Sequence, residues 1–326
     1  MRFGYTLLTE QAGPKQLVND AAKAEQARFS FEVMSDHYSP WLDEQGHAPY
    51  AWSVLGAVAQ VTGDVELMSF VTCPTMRYHP AVVAQKAATV QELSDGRFLL
   101  GLGAGENLNE HVVGRGWPAA NVRHEMLSEA LQIINDLFDG GYTNLAGEHF
   151  RVDSAKLWDL PSTRVPIGVA VSGAQSVDKF AAAADAMIAV EPKGDLCQRW
   201  DDTRAQLGVG KSRKVGQLPV SWDRDTEAAA RRAREQFRWF AGGWKVNAEL
   251  PGTQAFAAAT QYVREDDVAS AIPCGASPQA VVDAARSFRD AGFTDLALVA
   301  VGGDQQDEFL KAAEDEILPA LREQLG

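Results

Sequence analysis

The sequence predicts an α/β protein built on parallel strands, and within that class a closed (β/α)8 barrel (a TIM barrel). Three observations point there. Short apolar runs alternate with longer amphipathic stretches along all 326 residues, the pattern of parallel strands joined by helical crossovers. Runs such as Phe98-Leu99-Leu100-Gly101-Leu102-Gly103 are apolar at consecutive positions, so both faces of the strand are covered. Eight such runs are present, the number that closes a barrel. An open doubly wound sheet is the runner-up.

The elements follow in order. The strands are read at residues 2–7, 31–34, 66–71, 98–103, 166–170, 187–190, 216–221 and 295–301. Helices are read between them at 14–27, 80–94, 124–139, 177–184, 226–239 and 278–291. Pro14 and Pro80 stand where a first helical turn tolerates proline. In the stretch 80–94, Ala81, Val82, Val83, Ala88, Val90 and Leu93 oppose Gln85, Lys86 and Glu92, which is helical periodicity. Two stretches break the alternation. Residues 141–152, after the fourth helix, read as a hairpin, with a glycine-containing turn between two β-prone runs. Residues 241–277 read as an excursion between the seventh and eighth strands. Long excursions on compact barrels often act as lids or binding elements. With no linker and no internal repeat, residues 1–326 read as a single domain.

Bulk composition narrows the function. The formal charge is −14 and the only basic cluster is Arg231-Arg232-Ala233-Arg234, so a nucleic-acid partner is disfavoured. No apolar stretch approaches the length of a membrane span. Met1–Leu8 lacks the features of a signal peptide. Cys73, Cys197 and Cys274 are odd in number and widely spaced, as in a reduced chain. These features place the expected protein in the cytoplasm, acting on a small molecule.

In a barrel, chemistry sits at the C-terminal ends of the strands. The first end supplies Glu10. The second supplies Asp36, His37 and Trp41. The fourth supplies Ala104, Gly105, Glu106 and Asn109. The fifth supplies Ser172-Gly173, and the sixth Glu191 and Lys193. A polar strand end is unremarkable alone, because loops begin there. Glu10, His37 and Glu106 on three neighbouring ends form a set that can divide acid and base roles, with histidine titrating nearest neutrality. Small residues at 103–105 let a planar ligand approach the backbone. Ser172-Gly173 before a helix offers amides to a phosphate. Trp41, Trp52 and Trp117 stand where they would wall a pocket, whereas Trp200, Trp239 and Trp244 read as packing residues.

Ser35-Asp36-His37, Pro40-Trp41, the run from Thr75 to Val82 and Gly105-Glu106-Asn107-Leu108-Asn109-Glu110 resemble the luciferase-like barrel superfamily. The nearer likeness is to its coenzyme F420 (deazaflavin) branch of glucose-6-phosphate and secondary alcohol dehydrogenases. That resemblance implies an F420-dependent oxidoreductase and a homodimer. It implies that His37 takes the alcohol proton as hydride leaves for the deazaflavin, that Glu106 is the acid on the cofactor side, and that Glu10 orients His37. It implies that Trp41 walls the substrate and that Asp36 lies near the cofactor. Asn109, with Ala104 and Gly105, matches the cofactor-contacting loop, and the Ser172 and Gly173 amides match the holders of its phosphate. Phe70 and Val71 match a strand-three bulge with a non-prolyl cis bond, where relatives carry a small residue in place of Phe70.

Three departures qualify the likeness. Lys193 matches one substrate-phosphate ligand of the sugar-phosphate enzymes, but the other basic positions fall near Asn247 and Ala271. A phosphate dianion would lose much of its charge-assisted binding, so glucose 6-phosphate is not the expected substrate. Phe70 is expected to crowd the deazaflavin face. Ala184 and Ala186 stand where relatives have glycine and are expected to narrow the site. The expected reaction is hydride transfer between F420 and a small alcohol, carbonyl or activated double bond. The alternatives are an FMN-dependent monooxygenase and a barrel without cofactor affinity that serves as a binding protein.

Overall fold

The computed structural model describes residues 1–326. Ten strands form: β1 (Arg2–Leu7), β2 (Phe31–Met34), β3 (Glu66–Ser69), β4 (Phe98–Leu102), β5 (Thr143–Ala146), β6 (Arg151–Ala155), β7 (Ile167–Ala170), β8 (Ala186–Ile188), β9 (Arg213–Val220) and β10 (Asp295–Ala300). Eight close a parallel barrel in the order β1-β10-β9-β8-β7-β4-β3-β2. The remaining two, β5 and β6, pair antiparallel as the expected hairpin. Consecutive barrel strands lie side by side, so every loop leaving a strand's C-terminal end opens at the same mouth.

Alternation within each strand sorts the side chains. Phe31, Val33, Met68, Leu99, Ala186, Ile188, Val215 and Ala297 fill the lumen, while Phe3, Tyr5, Leu7, Leu67 and Leu100 pack outward against the helices. The lumen is tight at β4, where a Cβ on Gly101 would stand 1.9 Å from the Ser69 carbonyl oxygen. Only glycine allows that approach. Phe70, Val71 and Ala170 are half-buried and pack above the interior cluster.

The N-terminal end of the barrel is shut by ion pairs. Arg213 bonds Glu66 at 2.6 Å and Asp295 at 2.9 Å, and Arg2 approaches Asp295 at 3.4 Å. Over the opposite end lies the expected excursion. It carries short helices at Trp244–Asn247, Thr253–Ala259 and Glu265–Ala269 between β9 and β10. Phe256, Trp244 and Leu250 from this region, with Trp239 just before it, cluster with Trp41, Leu42 and Leu108, so the excursion roofs part of the mouth.

Several expectations are corrected. The third strand stops at Ser69, short of the expected residue 71, and the Phe70–Val71 peptide that follows is cis. The sixth barrel strand, β8, spans Ala186–Ile188, and the helix before it spans Ala174–Phe180. Helices at Ala51–Val61 and Gly194–Gln206 lie outside the expected set. The first is apolar on most faces, so its periodicity carries little signal. Ala184 and Ala186 do not narrow the mouth. Ala186 pairs with Arg213 at the ion-paired end, and the Ala184 carbonyl accepts a bond from Arg204 at 2.6 Å. No helix is long and apolar enough to cross a membrane.

Candidate active site

The chain leaves β2 through Ser35 and turns at Asp36-His37 because Asp36 is anchored from four sides. Trp52 Nε1 (3.1 Å) and Thr72 Oγ1 (2.7 Å) donate to one carboxylate oxygen. Arg77 Nη2 and Tyr78 OH, each at 3.2 Å, donate to the other. Arg77 also donates to the Asp36 carbonyl at 2.7 Å. A carboxylate has about four acceptor positions, so this side chain is fully engaged in holding the loop.

Against that anchor stands His37. Its Nε2 lies 3.1 Å from Glu106 Oε1, and its Nδ1 lies 3.3 Å from Glu10 Oε1 and 3.2 Å from the Ser39 carbonyl. All three side chains are buried or nearly so. Burial alone would pull the imidazole's pKa down. The charge of Glu10, then that of Glu106, outweighs it and holds His37 at about 9. Glu106 responds in the opposite sense. Burial pushes it up, but the His37 charge and hydrogen bond, with the Asn109 amide, hold it below the usual carboxylate range.

Each carboxylate is itself fixed. Glu10 receives Trp41 Nε1 at 3.1 Å on one oxygen, while Ser35 Oγ at 2.5 Å and Thr9 Oγ1 at 3.0 Å reach the other. Asn109 donates to Glu106 at 2.6 Å and accepts from the backbone N–H groups of Tyr38 (2.8 Å) and Ser39 (3.1 Å). One side chain thereby ties the His37 loop to the carboxylate facing it. Behind this layer, Arg77 bridges Asp36 and Glu110. Burial pushes the Glu110 carboxyl up to about 7 against the pull of Arg77. Burial likewise raises the Cys73 thiol, which stays protonated and unreactive.

The structure thus brings together Glu10, Asp36, His37, Trp41, Glu106 and Asn109 from the ends of β1, β2 and β4, with β3 lying between the last two rather than all three being neighbours. Phe70, Val71 and Ala104 are half-buried at the same mouth, and Gly105 adopts φ +91° beside them. Gly103 is small for a reason, since a Cβ there would meet Val71 Cγ2 at 2.6 Å. Ser172 and Gly173 precede a helical turn whose Ser176 hydroxyl accepts both of their amides at 3.3 Å. Lys193 is not a free cation, because it pairs with Glu191. Asn247 is buried and donates to the Trp239 carbonyl at 3.3 Å, whereas Ala271 is exposed.

Three of the tryptophan readings change. Trp239 does not merely pack, for it stacks on Trp41 at 4.2 Å with 10° between the planes. Trp41 in turn lies 5.0 Å from the His37 ring. Nothing in the local sequence marks Trp239, because the contact joins residues nearly 200 positions apart and depends on the excursion's path. Trp52 serves Asp36 rather than a pocket wall. Trp117 donates to Glu249 at 2.9 Å, and Glu249 also accepts from Arg123 at 2.8 Å, latching the excursion to the loop after β4. Trp200 is a core residue, as expected.

The chain is similar to known proteins over almost its whole length. The luciferase-like monooxygenase family matches residues 1–295. The F420-dependent glucose-6-phosphate dehydrogenase of Nakamurella multipartita is 34% identical, with 100% of this chain and 98% of that protein covered. The enzyme of the same name from Amycolatopsis mediterranei is 32% identical, with 99% of each covered. Among solved structures, an F420-dependent secondary alcohol dehydrogenase in complex with an F420–acetone adduct superimposes with a TM-score of 0.90. It is 24% identical, with 98% of this chain and 99% of that one covered.

Proposed function

Given that the chain belongs to the luciferase-like monooxygenase family, we propose that it is an F420-dependent oxidoreductase that moves a hydride between the deazaflavin and a small alcohol, carbonyl or activated double bond. The observation that carries this reading is His37 held between Glu10 and Glu106, a proton-transfer group at the mouth of a barrel whose relatives use F420.

The residues present suit the cofactor. The β3–β4–β7 side of the mouth offers Val71, Ala104, Gly105 and Ala170, small side chains beside a backbone that a planar ring can approach. Phe70 packs over the interior cluster and would contribute a hydrophobic face. The Ser172 and Gly173 amides make only long bonds to Ser176, which leaves them able to hold a phosphate. Asp36 and Asn109 would support the ring from below by holding the His37 loop and Glu106. When bound, F420 supplies the two-electron hydride acceptor or donor.

His37 supplies the proton. With its pKa at about 9, it is protonated at neutral pH and poised to donate to a carbonyl oxygen during reduction. In the oxidative direction it must first lose that proton, so alcohol oxidation gains from alkaline pH. Glu10 and Trp41 orient the imidazole, and Glu106 stabilises its charge and closes the cofactor side. The stacked Trp41–Trp239 pair and Phe256 exclude water and present an apolar wall to the substrate.

We place glucose 6-phosphate outside the substrate range, although the relatives named above are called dehydrogenases of that sugar. Lys193 is paired with Glu191, Asn247 is committed to the Trp239 carbonyl, and Ala271 carries no charge. A dianion has no cationic clamp here. A homodimer is part of the reading. Helices Ala51–Val61 and Pro80–Leu93 expose Ala57, Gln60, Val61, Val82, Gln85, Thr89 and Leu93, a face with little charge on a chain of net charge −14. Its three free cysteines suit the cytoplasm.

The test is direct. F420 should quench on binding, and a panel of small alcohols and ketones should turn over with F420 while glucose 6-phosphate does not. Absence of F420 binding overturns the reading. A flavin absorbance on purification transfers it to FMN.

A further inference from the structure

Between the interior cluster and His37, the lumen holds one unexpected polar pair. Gln217 is half-buried in the middle of β9, a strand paired on both sides by β8 and β10. A residue in that position is reachable only through the barrel's mouth. Its side chain is on the lumen side, since Val215, two residues earlier, belongs to the interior cluster and strand side chains alternate. Its partner confirms the direction. Gln217 Nε2 donates to Thr6 Oγ1 at 3.3 Å, reaching past β10 to β1.

That bond is long, and it uses one of the four hydrogen-bonding positions of a carboxamide. Around it the lumen is apolar, with Val215 below, Ala297 beside it in the register and Pro219 and Val299 above. Half-exposed through the mouth, the carboxamide has hydrogen-bonding positions left for solvent or a ligand. Thr6 pairs with Val33 in the β1–β2 register. The Gln217–Thr6 pair therefore lies one inward layer below Ser35, whose hydroxyl bonds Glu10. The barrel order sets β9 across the lumen from β3. If the deazaflavin lies along β3, β4 and β7, the space between it and β9 is where a substrate sits.

We infer that Gln217, positioned by Thr6, is a specificity-determining residue that hydrogen-bonds a second oxygen of the substrate while His37 serves the reacting one. The substrate class is then a small neutral molecule with two neighbouring oxygen functions, such as a hydroxy ketone or a diol, rather than a simple hydrocarbon alcohol. This rests on the proposed oxidoreductase reading and deepens it.

The experiment compares wild-type protein with Gln217→Leu and Gln217→Glu, using propane-1,2-diol and hydroxyacetone against propan-2-ol and acetone. Ligand binding is followed by calorimetry in the presence of F420, and turnover is followed by deazaflavin absorbance. The wild type should favour the two-oxygen ligands in affinity by about tenfold, the worth of one buried hydrogen bond. Gln217→Leu should erase that preference while leaving F420 affinity unchanged, and Gln217→Glu, which keeps an acceptor, should retain part of it. Equal binding of both ligand types by the wild type overturns the inference, as does an equal loss for both in Gln217→Leu or a loss of F420 affinity in that variant. Failure of the wild type to bind F420 is a separate result, which overturns the oxidoreductase reading.

Discussion

The two ends of the barrel carry the same charge pattern with different cations. At the N-terminal end, Arg213 lies between Glu66 and Asp295. At the mouth, His37 lies between Glu10 and Glu106. A guanidinium stays charged at any physiological pH, so the first triad only holds strands together. An imidazole flanked by the same two charges releases its proton within reach of solution pH. A carboxylate pair around a cation is thus architecture when the cation cannot titrate and chemistry when it can.

The strongest way to break that comparison is His37→Ala. Turnover should fall by about 10² to 10⁴, the usual contribution of a positioned acid–base group, and the melting temperature should fall with it below pH 6.5, because Glu10 and Glu106 lose the cation between them. Undiminished turnover would remove His37 from the reaction. The mirror experiment, Arg213→Met, should cost stability of roughly 2 kcal/mol. Half-exposed Glu66 relaxes into water, whereas buried Asp295 loses its nearer cation. Activity per folded molecule should persist, as denaturant melts combined with steady-state rates will tell.

Smaller effects sharpen the contrast. Because His37 titrates at about 9, kcat/KM for alcohol oxidation should climb through the neutral range and level off above that pH, whereas carbonyl reduction should stay flat through the neutral range and fall as pH rises past it. Glu106→Gln removes one of the charges that raise the imidazole. Both limbs should move to lower pH, and histidine NMR titration should show the same shift without any turnover. The stability linkage has a definite sign. The folded pKa lies above the ordinary value of 6.5, so the contribution of His37 is complete below about 6.5 and is lost as pH rises through 9. In His37→Gln the difference in stability from wild type should shrink across that window.

The smallest effect concerns Glu32, which faces the helix layer from β2. Neither of its carboxylate oxygens has a partner, and burial holds its pKa well above the usual range. Glu32→Gln should therefore leave activity intact and raise stability slightly at neutral pH. A marked loss of stability would show that the carboxyl has a partner the substitution removes.

Much of this was legible along the chain. The eight barrel strands follow from apolar runs because lumen and helix layer both require buried side chains, and β1 and β2 begin and end where those runs do. Glu10, His37 and Glu106 were legible as one group because the topology of a barrel converts neighbouring strand ends into one mouth. The helix Ala51–Val61 was not, since an apolar stretch without a polar face lacks period. Ala184 and Ala186 look like site residues in one dimension, yet they lie at the shut end.

The sequence by itself determined the barrel, its titratable residues and the family they belong to, because each depends on local pattern and on spacing along the chain. Only the tertiary structure decided what those residues face. Trp239 stacks on Trp41 from the turn before the excursion, Lys193 pairs with Glu191, and Gln217 meets Thr6 past β10. Distances between side chains on non-neighbouring strands are set by closure of the barrel, which no local pattern encodes.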